Sequence, residues 1–305
     1  QAALPAAALA AFSPFAVWYG QEARMYTLVP LFSALSVYLL LRALEERRLR
    51  YYAAYLATTA ALLYTHYFGL FLLGVHAGCV LLAAWQQARR GLRWSLHTLQ
   101  APDRAVPLLV VLVGAPLTPY ILWRLTAGHE WGRRLISLPQ IIWDTWRVHL
   151  AGLAAGWHAE ALSAAVAGAC VVMMAVLLSM PRRATISLPV LPSSSRANGR
   201  VRDASPAAGP DGAARWDAGP RWDVLAIYLL VPVIAIFLLS LIKPLFGHVR
   251  YMSIVSPALY SALGGALASS RRGGVLLAGL AGLVMLYGNA AQRLDPSLRR
   301  EAYAA

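Results

Sequence analysis

The sequence predicts an all-α fold, a polytopic transmembrane bundle of about nine spans. Three observations carry this. First, 59% of the 305 residues are hydrophobic and the mean hydropathy is +0.56, against roughly 45–50% apolar in soluble domains. Second, apolar runs of about 16–20 residues recur along the chain, the length that crosses a bilayer core as a helix. Third, arginines cluster between those runs, the pattern of cytoplasmic membrane loops facing anionic lipid. A soluble bundle needs a polar face on every helix, and most of these runs have none.

Taken in order, the first span covers about 3–19 and leads into the polar stretch Gln21-Glu22-Ala23-Arg24. The second covers about 25–44 and ends in a basic turn, Arg42 to Arg50, which fixes that side as cytoplasmic. The third, about 51–64, is short and exits at Tyr64-Thr65-His66-Tyr67-Phe68-Gly69. The fourth, about 70–85, returns to Arg89-Arg90-Gly91-Leu92-Arg93. The fifth, about 106–123, carries Pro107, Pro116 and Pro119 and is expected to kink.

An outer loop, about 124–156, then holds His129, Glu130, Arg133, Arg134 and Asp144. Leu135, Leu138, Ile142 and Trp146 have helical spacing there, which predicts amphipathic helices lying along the membrane interface. The sixth span covers about 161–180. Residues 181–222 are rich in Ser, Pro, Gly, Ala and Arg and read as a disordered cytoplasmic loop. The seventh span, about 224–242, leads to an outer loop from Lys243 to Tyr251; the eighth covers about 252–268, and the ninth about 275–287. The organisation is therefore a membrane core in two parts, 1–180 and 223–288, with 289–305 opening a further extracytoplasmic region. Gln1 begins inside an apolar run, and Asp295-Pro296 starts a helix that is soon cut off. Sequence is expected beyond both ends.

Charge and cysteine content exclude several function classes. The net charge of +14 sits in loop clusters, so nucleic acid is not the expected partner. Only Lys243 among the 27 basic residues is lysine, a bias typical of GC-rich bacterial genomes. Cys79 and Cys170 lie in apolar runs and read as small core residues. No phosphate-binding glycine loop or zinc spacing occurs, and no internal repeat marks a transporter's paired halves.

The chemistry-bearing residues collect on the outer side. Charge at a membrane-helix end is costly and marks candidate sites. Gln21, Glu22, Arg24 and Tyr26 gather at one helix boundary; Glu22 suits a helix N-terminus and Arg24 offers a planar fork for phosphate. Lys243 and Arg250 supply further cations, either clamping an anionic headgroup or snorkelling to the lipid surface. His66, between Tyr64 and Tyr67, fits a metal ligand, a proton carrier or an interfacial hydrogen-bonding residue.

Ser13-Pro14-Phe15 through Tyr19-Gly20-Gln21-Glu22-Ala23-Arg24-Met25-Tyr26 resembles the "SP…YSQEARMY" segment of bacterial integral-membrane glycosyltransferases. These are of the family 39 type, related to dolichyl-phosphate-mannose protein mannosyltransferases, in the GT-C superfamily. Tyr64 to Gly69 resembles that family's "YTHYFG", and Lys243 to Tyr251 its "P-x-F-x-x-RY" loop with one extra residue. The resemblance implies a multi-pass plasma-membrane enzyme using a polyprenyl-phosphate-linked sugar as donor. Transfer to a protein, lipid or glycan acceptor would occur on the extracytoplasmic face, usually with inversion. It places Gln21, Glu22, Arg24 and Tyr26 along the donor phosphate and sugar, with His66 and Tyr67 at the border. Lys243 stands in the same loop as Arg250 and Tyr251, which would bind phosphate or gate the cavity. The main catalytic acid is expected upstream of Gln1, with Glu22 the one matching carboxylate here. No cofactor is fixed, and a divalent metal ion is the one candidate. The competing reading is a transporter or flippase for a lipid-linked or anionic substrate.

Overall fold

A computed structural model describes residues 2–22, 25–89, 114–117, 119–120, 123, 137–153, 161, 164–165, 168, 221–242, 249–269 and 271–295. Among these the structure is helical, with no strand. The elements are α1 (Ala3–Phe12), α2 (Pro14–Gln21), a 3₁₀ turn (Met25–Thr27), α3 (Leu28–Glu46), α4 (Leu49–Thr65) and α5 (Gly69–Arg89). There follow α6 (Leu138–Ala151), α7 (Trp222–Ile242), a 3₁₀ segment (Val249–Val255), α8 (Ser256–Ser269) and α9 (Arg271–Leu294). Most of the expected fifth and sixth spans, the 124–136 part of the outer loop, the 181–220 loop, residues 243–248 and the tail from 296 lie outside the described residues.

Among the described residues five segments are long and apolar enough to cross a membrane: Met25–Glu46, Gly69–Gln86, Trp222–Leu241, Val249–Ala268 and Gly274–Leu294. The pair α1 and α2 makes a sixth if it counts as one span. The expected first span is thus not straight; its halves meet at 55°. Proline disfavours helical ψ in the residue before it, and Ser13 takes ψ 126° with Pro14 opening α2. The Ser13 hydroxyl then donates to the His149 carbonyl at 2.6 Å, which anchors the bend.

α3 packs along α4, α1 along α8, and α5 along α7. One core gathers Leu40, Leu62, Phe68, Leu72, Ile236, Met252 and Ile254; a second joins α1, α6, α8 and α9 through Leu9, Leu150, Leu259 and Met285. The α1–α8 crossing is close because position 264 is glycine: a Cβ there would sit 2.5 Å from the Ala6 backbone nitrogen. Polar side chains stitch the interior. Ser33 of α3 bonds Tyr228 of α7 and the Ile254 carbonyl. His76 of α5 lies 3.0 Å from the Tyr55 hydroxyl and 3.3 Å from that of Ser36, tying α3, α4 and α5. Such bonds between membrane helices typically contribute about 0.6 kcal/mol each.

α6 falls within the expected 124–156 loop and is amphipathic, and the structure adds a second, buried face. On α6 the Leu138–Ile142–Trp146 stripe is only partly covered, with Ile142 50% exposed. Its buried face is Ile141, Thr145, Val148 and His149, which wedges between α2 and α9. The two stripes differ by about one residue, a rotation of about 100°. Ser137 caps α6 by accepting from the Gln140 N–H, with Pro139 in the first turn.

Candidate functional site

Three short irregular segments meet at one end of the bundle. The first is the exit of α2 through the Met25–Thr27 turn; the second joins α4 to α5; the third is the Val249–Val255 segment. The α4–α5 turn is tight because His66 leaves the helix in extended conformation and its carbonyl accepts from the Gly69 N–H at 2.8 Å. A Cβ at Gly69 would lie 3.0 Å from the Leu62 side chain. The 3₁₀ segment is held by burial of Met252 and Ile254.

These segments bring Tyr26, His66, Tyr67, Arg250 and Tyr251 together. The Arg250 guanidinium carbon lies 5.7 Å from the Tyr26 ring centroid and 5.7 Å from that of Tyr251, within cation–π range. Tyr19 packs edge-on against Tyr26 at 5.3 Å. His66 lies 6.2 Å from Tyr26 and 6.1 Å from Tyr251, and stacks on Tyr67 at 4.8 Å. Phe68 stacks on Tyr251 at 4.6 Å, only 14° from parallel. Arg250 is half-buried; its Nε is buried without a hydrogen-bond partner, and no carboxylate pairs with the group among the described residues.

The geometry narrows His66. Its Nδ1 accepts the Phe68 N–H at 3.1 Å, so in the neutral ring the proton sits on Nε2, which is then a donor. This disfavours Nδ1 as a metal ligand or proton acceptor. Among the described residues no three His, Cys, Asp or Glu side chains gather closely enough to hold a metal ion. Gln21 ends α2 and is exposed; Glu22 follows in an extended backbone with one carboxylate oxygen buried and, among the described residues, unpartnered. Such an orphaned acceptor marks a place where a donor from outside would be stabilised. Arg24 and Lys243 lie outside the described residues.

Sequence reading missed the polar cluster behind this site. His149 is fully buried, stacked 4.1 Å from Phe15. Its Nδ1 lies 2.6 Å from the Thr145 carbonyl and must donate; its Nε2 then accepts from the Ser256 hydroxyl at 2.7 Å. The Tyr260 hydroxyl donates to Ser13 at 2.6 Å. Burial pushes the His149 imidazole down to about 4, so it is neutral near pH 7. The only signal in the sequence was a histidine four residues after a threonine on an amphipathic helix. Tyr19 and Phe68, which pack on Tyr26 and Tyr251, stood inside the quoted motifs without being singled out.

No protein-family model matches the chain, no curated protein matches it, and no solved structure matches it.

Proposed function

We propose that this chain is a membrane glycosyltransferase with nine spans and a GT-C-like fold, taking sugar from a polyprenyl-phosphate-linked donor on the extracytoplasmic face. The observation that carries the reading is the meeting of the three motif segments. Tyr26, His66–Tyr67 and Arg250–Tyr251 lie far apart in sequence, and each was named from a motif of that family. Their convergence is what a shared site requires.

In this reading Arg250 neutralises the phosphate that departs from the anomeric carbon. A cation seated among tyrosine faces, with no paired carboxylate among the described residues, keeps its charge for an incoming anion. The Nε2–H of His66 donates to a phosphate or sugar oxygen. The acceptor hydroxyl attacks the anomeric carbon as the carbon–oxygen bond to phosphate breaks, and its proton goes to a carboxylate. Glu22 organises this site.

The test is release of lipid phosphate from radiolabelled polyprenyl-phosphate sugars, in membranes containing the wild-type protein, Glu22→Gln or Arg250→Ala. Turnover in wild type with loss in both variants at equal expression supports the enzyme and the site. Turnover unaffected by either variant keeps the enzyme and discards the site. No turnover with any donor, from folded protein, moves the reading to a transporter of lipid-linked substrates.

A further inference from the structure

We infer that the arginine-rich end of the bundle holds an anionic membrane lipid, with one acyl chain in a groove between α1, α3, α7 and α8. The inference depends on the chain being embedded in a bilayer and not on sugar transfer. The groove has a volume of about 320 Å³. Its width comes from Ala6, Ala34 and Ala258, small residues on three facing helices. Its length can be read on two antiparallel helices. On α3 the lining runs from Ala34 to Leu41, and along α7 from Tyr228 back to Arg221, the residue just before that helix. Each stretch rises about 10 Å. Both finish at the same end, where Arg221 reaches Glu45 at 3.4 Å.

Lining and rim differ in chemistry. Inside, the groove is almost wholly apolar. In a bilayer such a space is filled by hydrocarbon, because voids forfeit dispersion contacts and water has few polar partners there. At the rim stand Tyr38, an amphipathic ring that is 49% exposed, and Arg221. Arg42, Arg47, Arg48 and Arg50 lie on the adjoining α3–α4 turn. Among the described residues they and Arg221 outnumber the carboxylates of that end, Glu45, Glu46 and Asp223; Arg48 and Arg50 share Glu46 at 3.8 Å and still project with side chains 62% and 63% exposed. That surplus selects an anionic headgroup over a zwitterionic one.

The experiment is native mass spectrometry of the protein extracted from vesicles of equal phosphatidylglycerol and phosphatidylcholine. The expected result is one retained lipid, enriched about fivefold in phosphatidylglycerol. Arg221→Gln is expected to keep a bound lipid while bringing the ratio towards parity. Ala34→Leu with Ala258→Leu fills the groove and should lose the retained lipid, with a melting curve checking the fold. Equal retention of both lipids by wild type would overturn the proposal. So would unchanged enrichment in Arg221→Gln, which stands even if the groove-filling variant fails to fold. Displacement of phosphatidylglycerol by added polyprenyl phosphate would also overturn it, assigning the groove to a prenyl chain.

Discussion

At the end of α3, Arg42 lies 5.3 Å from the Tyr51 ring and 2.5 Å from Glu46. Next to the start of the same helix, Arg250 lies 5.7 Å from the Tyr26 ring with no carboxylate beside it among the described residues. Both ends set an arginine against tyrosine, but only one supplies the counter-charge. Arg42 is therefore answered within the fold, and its pairing holds a helix turn. Arg250 is answered, among the described residues, by tyrosine rings and a hydrogen bond with Tyr251 but by no carboxylate, so its charge lacks a counter-ion unless an anion arrives. The difference separates an arginine that serves folding from one held ready for a ligand.

The sharpest way to break that comparison is Arg250→Ala. Lipid-phosphate release should fall by about 10²–10³-fold, as for loss of a group that stabilises departing charge, with little change in melting temperature. A large stability loss at unchanged turnover would instead make Arg250 a folding residue like Arg42. Next in size is His149→Leu in the cluster behind the site. It strands the Ser256 hydroxyl and the Thr145 carbonyl and should cost about 2–3 kcal/mol in denaturant unfolding. Activity per folded molecule should persist; a selective loss of activity would bring His149 into the site itself.

The same residue sets a pH dependence. His149 titrates near 6.5 when unfolded and at about 4 when folded. The unfolded state then binds the extra proton between those values, so stability is flat above pH 6.5 and falls as pH drops towards 4. A decrease of several degrees in melting temperature is expected over that window. His149→Gln should flatten that part of the curve. The smallest effect belongs to the paired end. Arg42→Ala and Glu46→Gln, with partly exposed partners, should each cost under about 1 kcal/mol and leave turnover unchanged.

Much of the helix content was legible because apolar runs are long and interrupted by arginine. The seventh span, expected over about 224–242, is α7 at Trp222–Ile242. Helix direction and packing were harder to read. Pro14 announced a break that the continuous apolar run of 3–19 concealed. On α6, the choice between the Ile142 stripe and the Ile141 stripe turned on which neighbours existed. Only the fold supplies α2 and α9 as partners. Five of the nine candidate residues lie together, and their motifs signalled it. The chemistry did not: that His66 is committed through Nδ1 to the Phe68 N–H depends on a turn whose backbone path no spacing rule reveals.

One consequence follows from the Val249–Val255 segment. Seven residues is long for 3₁₀ geometry. Each residue there advances about 2.0 Å, against 1.5 Å in an α-helix. Rewinding the segment into continuity with α8 would shorten it by about 3.5 Å, more than half an α-helical turn. Arg250, near its far tip, would be drawn along the α8 axis, and its place beside Tyr26 would change. The segment is in effect a drawn-out length of helix, and the seat of the cation among the rings depends on its staying extended.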